Sequence, residues 1–569
     1  MTMMAERMRA RSNDWMTTLR RSVMSALVAL SVPMTGLAAA PEACGTVVVP
    51  PGVGLGTPPA TVDSLNPFLI SSAYDGEAAG LIYDGLFWIN RNHTITWSRS
   101  IATAVTANAD NTVFTVTMRP WNWSDGVPVT TKDVQFTFDL IKKLGKTYTA
   151  YGEGGMPNMV KAFTVLGPEQ FQVTLIHPVN PTWFELTGLA QLVPYPAHAW
   201  GKYSVNEMWR QQSNPDFFRV VDGPYKLDQF KIGRYISFVP NPGYQGHKSQ
   251  IARFVMAFLS SDGAVIEGLQ SGTLDAGNLP FSLWSAGKAL KNVHDIKLTP
   301  QFGFDYMQLN YKNPAVAFFR DVKVRDAIAD AFDQKKNIHI LLHDTTVPQH
   351  GPVPVNPPTF LSPDAKAGIF PVGYDPAKAR ALLDSAGWKM GADGIRTKDG
   401  KRLAFTYMAQ SGNVSSILRA QLEQAELRAV GIGMNIREVT FSQLLVLSYK
   451  PLQWETMGFG WSLGVYPDDQ AQLGTTGIYN QSGYSDKKMD ALLADVETKP
   501  GITPLYAYQD YAAAQQPEIF EANPGAVVLV RNGLRGIRQF LSPTGAWSPQ
   551  YLHWTTPPCG HQTVAAAVP

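Results

Sequence analysis

Cysteine, charge and catalytic signatures are all scarce in this sequence. Only two of its 569 residues are Cys, Cys44 and Cys559, and neither has the neighbours of a thiol nucleophile. No G-x-S-x-G elbow occurs, which removes the usual serine hydrolase. Asp, Glu, Lys and Arg make up 17% of the chain, against about 25% in ordinary soluble proteins. The formal charge of +2 comes from the first 40 residues, where five Arg face Glu6 and Asp14; the remaining 43 basic and 44 acidic residues nearly cancel. With no basic cluster left to follow a phosphate backbone, nucleic acid is not an expected partner. There is no internal repeat and no low-complexity segment.

What the chain does have is size and aromatic surface. Its 62.4 kDa exceeds what one core supports, so two or three domains are expected. Hydrophobic residues at 45% say globular, and 14 Trp, 21 Tyr and 27 Phe invite a recessed, aromatic-lined site.

The first 40 residues read as an export signal. After Arg20-Arg21 comes an apolar stretch broken by Pro33 and Gly36 and ending in Ala38-Ala39-Ala40. That is too interrupted for a membrane anchor and suits a cleaved leader. The long run before it suggests that translation starts at Met16, and Val23-Met24-Ser25 matches a twin-Arg signal only loosely. Cys44 and Cys559 then lie near the two ends of the mature chain, and in an exported protein such a pair suggests a disulfide. Closing so long a loop stabilises by about 5 kcal/mol in the chain-entropy model. The rival is a lipid anchor on Cys44, which Pro41 and Glu42 disfavour.

From Val47 onward, β-rich runs alternate with amphipathic helices, an α/β pattern. Thr112 to Arg119 alternates with period two, as a half-buried strand does. Thr130 and Asp133 form a capping box for a helix with Val134, Phe138 and Ile141 on one face. The run Arg320 to Ile338 reads as one helix, with Val324, Ile328, Ala331 and Phe332 at core spacing. Asp375-Pro376 opens another that stops at Gly387. A fourth, from about Ser415 to Val430, ends at Gly431 and leads into a strand carrying Ile432, Met434 and Ile436.

Three signals invite chemistry and lack its context. Gly52 to Gly56, GVGLG, is flanked by prolines that leave no helix to receive a phosphate, so it reads as a turn. His339 and His343 have helical metal-ligand spacing but no adjacent Glu base, and one helix-end and one loop histidine is the plainer account. Asp468-Asp469 could be named a glycosidase dyad, yet adjacent residues rarely flank a scissile bond from both sides. No metal or cofactor is expected, and the chain is not read as an enzyme.

Five segments in order resemble the large extracytoplasmic solute-binding proteins, family 5, that deliver peptides, nickel and related solutes to ABC importers. They are VDSLNPF with IYDGLFWIN; WSDGVPVTTKDVQFTFDLIK, a Trp-x-Asp-Gly-x-Pro turn entering a helix; and GPYKLDQFKIGRYISFVPNPGY. RDVKVRDAIADAFDQKKNI follows, and last come GYDPAKARALLDSAGW and YNQSGYSDKKMDALL. Together they span about residues 45 to 540. The resemblance implies two α/β lobes with mixed sheets, joined by a hinge of two crossovers, the first lobe carrying an extra subdomain. Projected here, 1–40 is the signal peptide, 41–75, 200–297 and 523–569 are lobe I, 76–199 its subdomain and 298–522 lobe II. Both cysteines then fall in one lobe.

On that layout a solute is held between closing lobes. The implied cleft residues are Tyr74 and Asp75 in the loop from Ser71 after LNPF, Trp121 and Trp123, and Phe302, Phe304 and Tyr306. Gly460, Trp461, Ser462, Gly464 and Val465 complete the set. The other reading of Trp121, Trp123 and Phe304 is core filling, and Gly223-Pro224-Tyr225 reads as structural. Peptide-binding members have a Trp-x-x-Asp-Tyr run whose Asp pairs with the peptide ammonium; alignment puts Gly464 or Val465 there, and neither carries charge. Asp468 or Asp469 could substitute, or could cap the next turn. The implied ligand is a peptide bound differently, a neutral polar solute such as an oligosaccharide, or a metal chelate. The implied partner is the membrane permease of an ABC importer, and the expected form a periplasmic monomer. Alternatives are a secreted hydrolase acting on glycan or peptide, and a binding protein serving as chaperone or chemosensor.

Overall fold

Val47, Val48 and Val49 form a buried strand, Thr46–Val49, that pairs in parallel with Arg253–Ala257. Buried on both faces, it carries no polar alternation, as parallel strands generally do not. Tyr235–Pro240 and Tyr225–Lys231 complete this four-stranded sheet. The computed structural model describes residues 43–55, 61–70, 72–542 and 546–555. The expected leader, Ser71 and Cys559 lie outside them. Among the described residues no helix is long and apolar enough to cross a membrane.

A second, three-stranded sheet has Val527–Arg531 between Val293–Lys297 and Ala276–Asn278. Five further strands, β1 (Gly303–Leu309), β2 (Ala404–Gln410), β3 (Gly433–Val439), β4 (Thr456–Ser462) and β5 (Ile519–Glu521), form a mixed sheet in the order β3-β2-β4-β1-β5. β2 runs parallel to β3 and β4, and β1 antiparallel to β4 and β5. The chain therefore passes between the second and the mixed sheet twice, at 298–302 and at 522–526. A fourth sheet, Ala102–Ala107, Val113–Met118, Gln170–Leu175 and Val160–Gly167, is antiparallel throughout.

Local signals set the helices. Thr130 N–H donates to the Asp133 carboxylate at 2.8 Å, the reciprocal cap of helix Thr131–Leu144. Asp375 accepts from Ala377 and Lys378 N–H at the start of Pro376–Ser385. The helix joining β2 to β3, α1 (Val414–Val430), ends at Gly431, whose φ of 91° is the left-handed value that glycine adopts without a Cβ clash.

Two expectations are corrected. The single helix over 320–338 is broken into Val322–Ala331 and Gln334–Leu342. Phe332 turns extended to bury its ring, and Asp333 caps the second piece through Lys336 N–H. The expected loop through Asp75 is the first turn of a helix, Ala73–Ala79, because Ser72 caps it by accepting from Asp75 N–H. The described part of GVGLG is a turn: Gly52 N–H donates to Glu77 Oε2 at 3.0 Å and Gly54 N–H to Asn278 Oδ1 at 2.8 Å. His339 lies in the last turn of the second piece and bonds Asp344, while His343 caps that helix's end, stacked on Trp284 at 4.0 Å.

Candidate functional site

The β1–β4 ladder decides which expected residues meet. Phe304 is registered against Trp461, Tyr306 against Phe459 and Gly303 against Ser462, and Leu463 N–H donates to Phe302 O at 2.9 Å. Alternation puts the rings of Phe304, Tyr306 and Phe520 on one face, buried beneath the half-buried Phe459 and Trp461. Gly460, Ser462 and Gly464 are exposed and Val465 is half-buried.

The loop after β4 folds back onto that strand. Asp469, 1% exposed, accepts from Trp461 Nε1 at 2.8 Å and from Tyr508 Oη at 2.9 Å. Asp468 accepts from Trp183 Nε1, Tyr466 Oη accepts from Asn180 Nδ2 at 3.2 Å, and His93 Nδ1 lies 2.9 Å from Val465 O with its ring on Phe302. Burial pushes Asp468 up to about 6 and Asp469 to about 7, against the donors that favour their charge. The acids of this stretch thus hold the loop to its neighbours.

The other expected residues lie in different surroundings. Trp121 and Trp123 are 6% and 1% exposed; Trp121 Nε1 donates to Asp222 O at 3.3 Å and its ring meets Tyr244, while Trp123 lies near His198. Tyr74 is half-buried. Asp75 is buried and accepts from Asp63 and Ser64 N–H at 2.8 and 3.1 Å.

A cavity of about 310 Å³ opens where the second and the mixed sheet face each other, beside the crossing at 522–526. One side is Asn278 to Ser282 and Val527; the other includes Asp305, Asn337, Gln410, Asn413 to Ser416, Arg419, Glu423 and Glu521. None of the twelve residues expected from the sequence lines it. Arg419 Nη1 donates to Asp305 Oδ2 at 2.6 Å and lies 3.2 Å from Glu521 Oε2; its Nε is 3.9 Å from Glu423 Oε1. Burial works against the Arg419 charge, yet Glu521 and Asp305 hold it firmly protonated. Burial raises all three carboxyls. These residues were missed, although two signals were available: Asp305 interrupts an apolar strand, and Arg419 and Glu423 share a helix face at i, i+4.

A family model described as bacterial extracellular solute-binding proteins, family 5 Middle, matches residues 96–484. The chain belongs to this family. The oligopeptide-binding protein AppA of Bacillus subtilis is 26% identical over 382 residues, 66% of this chain and 67% of AppA. Its structure in complex with a nonapeptide matches 91% of this chain and 100% of that one, with a TM-score of 0.68 at 21% identity. NikA from Brucella suis, solved with Fe(III)-EDTA, matches 90% of this chain and 100% of its own at TM-score 0.73 and 20% identity. The fold of this family 5 member is accordingly the two-lobe α/β one, and the family is one of solute-binding proteins rather than enzymes.

Proposed function

We propose that this family 5 protein is the solute receptor of an ABC importer, capturing a peptide or other small polar solute between its lobes and presenting it to a membrane permease. The observation that carries this is the cavity at the double crossing, walled from both sides of the chain's passage between sheets. Its volume falls at the lower end of small-molecule sites, about 300–1,000 Å³. The proposed lobes are those projected from the sequence, with 298–302 and 522–526 as hinge segments; each sheet drawing its strands from one proposed part supports this. Trp461, on Phe304 and Tyr306, would form a further stretch of cleft wall.

The same reading makes residues 1–40 a cleaved signal, the mature chain periplasmic and monomeric, and Cys44 the partner of Cys559. A solute library of peptides, sugars and chelates should give a saturable thermal shift with no product formed. Native mass spectrometry of the protein from its host should show a co-purified solute and a two-hydrogen mass deficit. No stabilisation by any class would remove the receptor reading, and turnover would replace it with the hydrolase.

A further inference from the structure

Asp305 on β1 and Glu521 on β5 are register partners, so two acids stand side by side on one face of the sheet. Such a pair repels unless a cation lies by it. Arg419 supplies one positive charge, and Glu423, one turn along α1, adds a third carboxyl. One guanidinium against three carboxyls leaves the cluster acidic even when one of the three is protonated. Glu423 and Glu521 are 2% and 4% exposed, yet among the described residues no hydrogen-bond partner meets Glu423 Oε2 or Glu521 Oε1. Asn337, 8% exposed and outside the acid cluster, also presents an Oδ1 without a donor. All three line the cavity.

Buried acceptors without donors are costly, and more so when charged. A cavity that gathers three of them asks for an occupant rich in N–H and positive in charge. We propose that it takes a small solute by a cationic head, a primary ammonium or guanidinium, which donates to Glu521, with Glu423 and Asn337 as further acceptors.

This rests on the receptor reading and narrows its ligand. Phe281 and Phe332 line the same space and suit an alkyl stem. Arg419 Nε also lacks a hydrogen-bond partner, but an anionic head placed there would face the carboxyls of Asp305, Glu423 and Glu521. The amino end of α1 at Asn413 is partly positive, but that influence fades within a turn, and Glu423 lies ten residues, about 15 Å, further along.

Calorimetric titration of the full chain with agmatine, 1,5-pentanediol and glutarate separates the cases. Agmatine should bind saturably, and Glu521→Gln should weaken it at least about tenfold while the other two stay silent. Glu423→Gln and Asn337→Leu should weaken it too, which keeps the test open if Glu521→Gln fails to fold. Agmatine binding that is absent, or equal in all variants, overturns the cationic head. Saturable pentanediol or glutarate binding overturns it as well, but leaves the receptor reading standing. Silence from the whole solute library removes both.

Discussion

Asp468 and Asp469, in the loop after β4, each accept from side-chain donors of Trp183, Trp461 and Tyr508, whereas Glu423 and Glu521, across the sheet, carry oxygens that no donor among the described residues reaches. Both sets are acidic and both are raised by burial. Only their partners differ. A carboxylate whose acceptors are filled by neighbouring side chains is part of the scaffold; one left short in a cavity has capacity for a ligand. Paired acids in the sequence drew attention to the first set, and the accounting of donors shifts it to the second.

The comparison breaks most visibly at Arg419. Replacing it by Leu strands Asp305, Glu423 and Glu521 without a counter-charge, and should cost about 3–5 kcal/mol in urea unfolding. A loss under about 1 kcal/mol would mean the acids are already neutral together, and the cavity would lose its negative character. In the scaffold set, Asp469→Ala removes the acceptor of both Trp461 Nε1 and Tyr508 Oη. It should cost about 2–3 kcal/mol, with Asp469→Asn losing less because its carbonyl still accepts. Equal losses in the two variants would show that the hydrogen bonds contribute nothing.

Trp461 stands on the aromatic face of β1 and β4, opposite Glu521, and donates to Asp469 of the scaffold set. Trp461→Ala should weaken solute binding roughly tenfold, about 1.4 kcal/mol, with a single cooperative unfolding transition retained. Unchanged affinity would make the ring core rather than cleft wall.

Legibility in the sequence tracked the range of the interaction. The caps at Thr130-Asp133 and Asp375-Pro376 and the stop at Gly431 lie within a few residues of what they act on, so the helices they bound could be placed. The ordered motifs pointed to the two-lobe family because their spacing survives as a pattern. The break at Phe332 escaped, since apolar spacing continued through it while the burial of one ring and the cap at Asp333 decided the local backbone. The Asp305, Arg419 and Glu521 constellation escaped for a further reason: three distant segments meet there only through the pairing of β1 with β5 and the seating of α1. The region Phe459 to Asp469 was noticed as a segment, but that its acids would be taken by Trp183 and Tyr508, residues remote in the chain, has no local signal.

The smallest effect concerns protons on the scaffold pair. Burial lifts Asp468 from 3.8 to about 6 and Asp469 from 3.8 to about 7. Between about pH 4 and those values the folded chain keeps protons that the unfolded chain has released. Their contribution to stability is therefore whole below about pH 4 and is lost as pH rises through 6 and then 7. Asp468 is the more solvated of the two, half-buried where Asp469 is 1% exposed. Asp468→Asn should accordingly flatten the stability profile by only about 1 kcal/mol between pH 4 and 6, leaving the Asp469 part up to pH 7 in place. An unaltered slope in the Asn variant would mean that Trp183 holds Asp468 as a charged acceptor, its burial offset by that one donor.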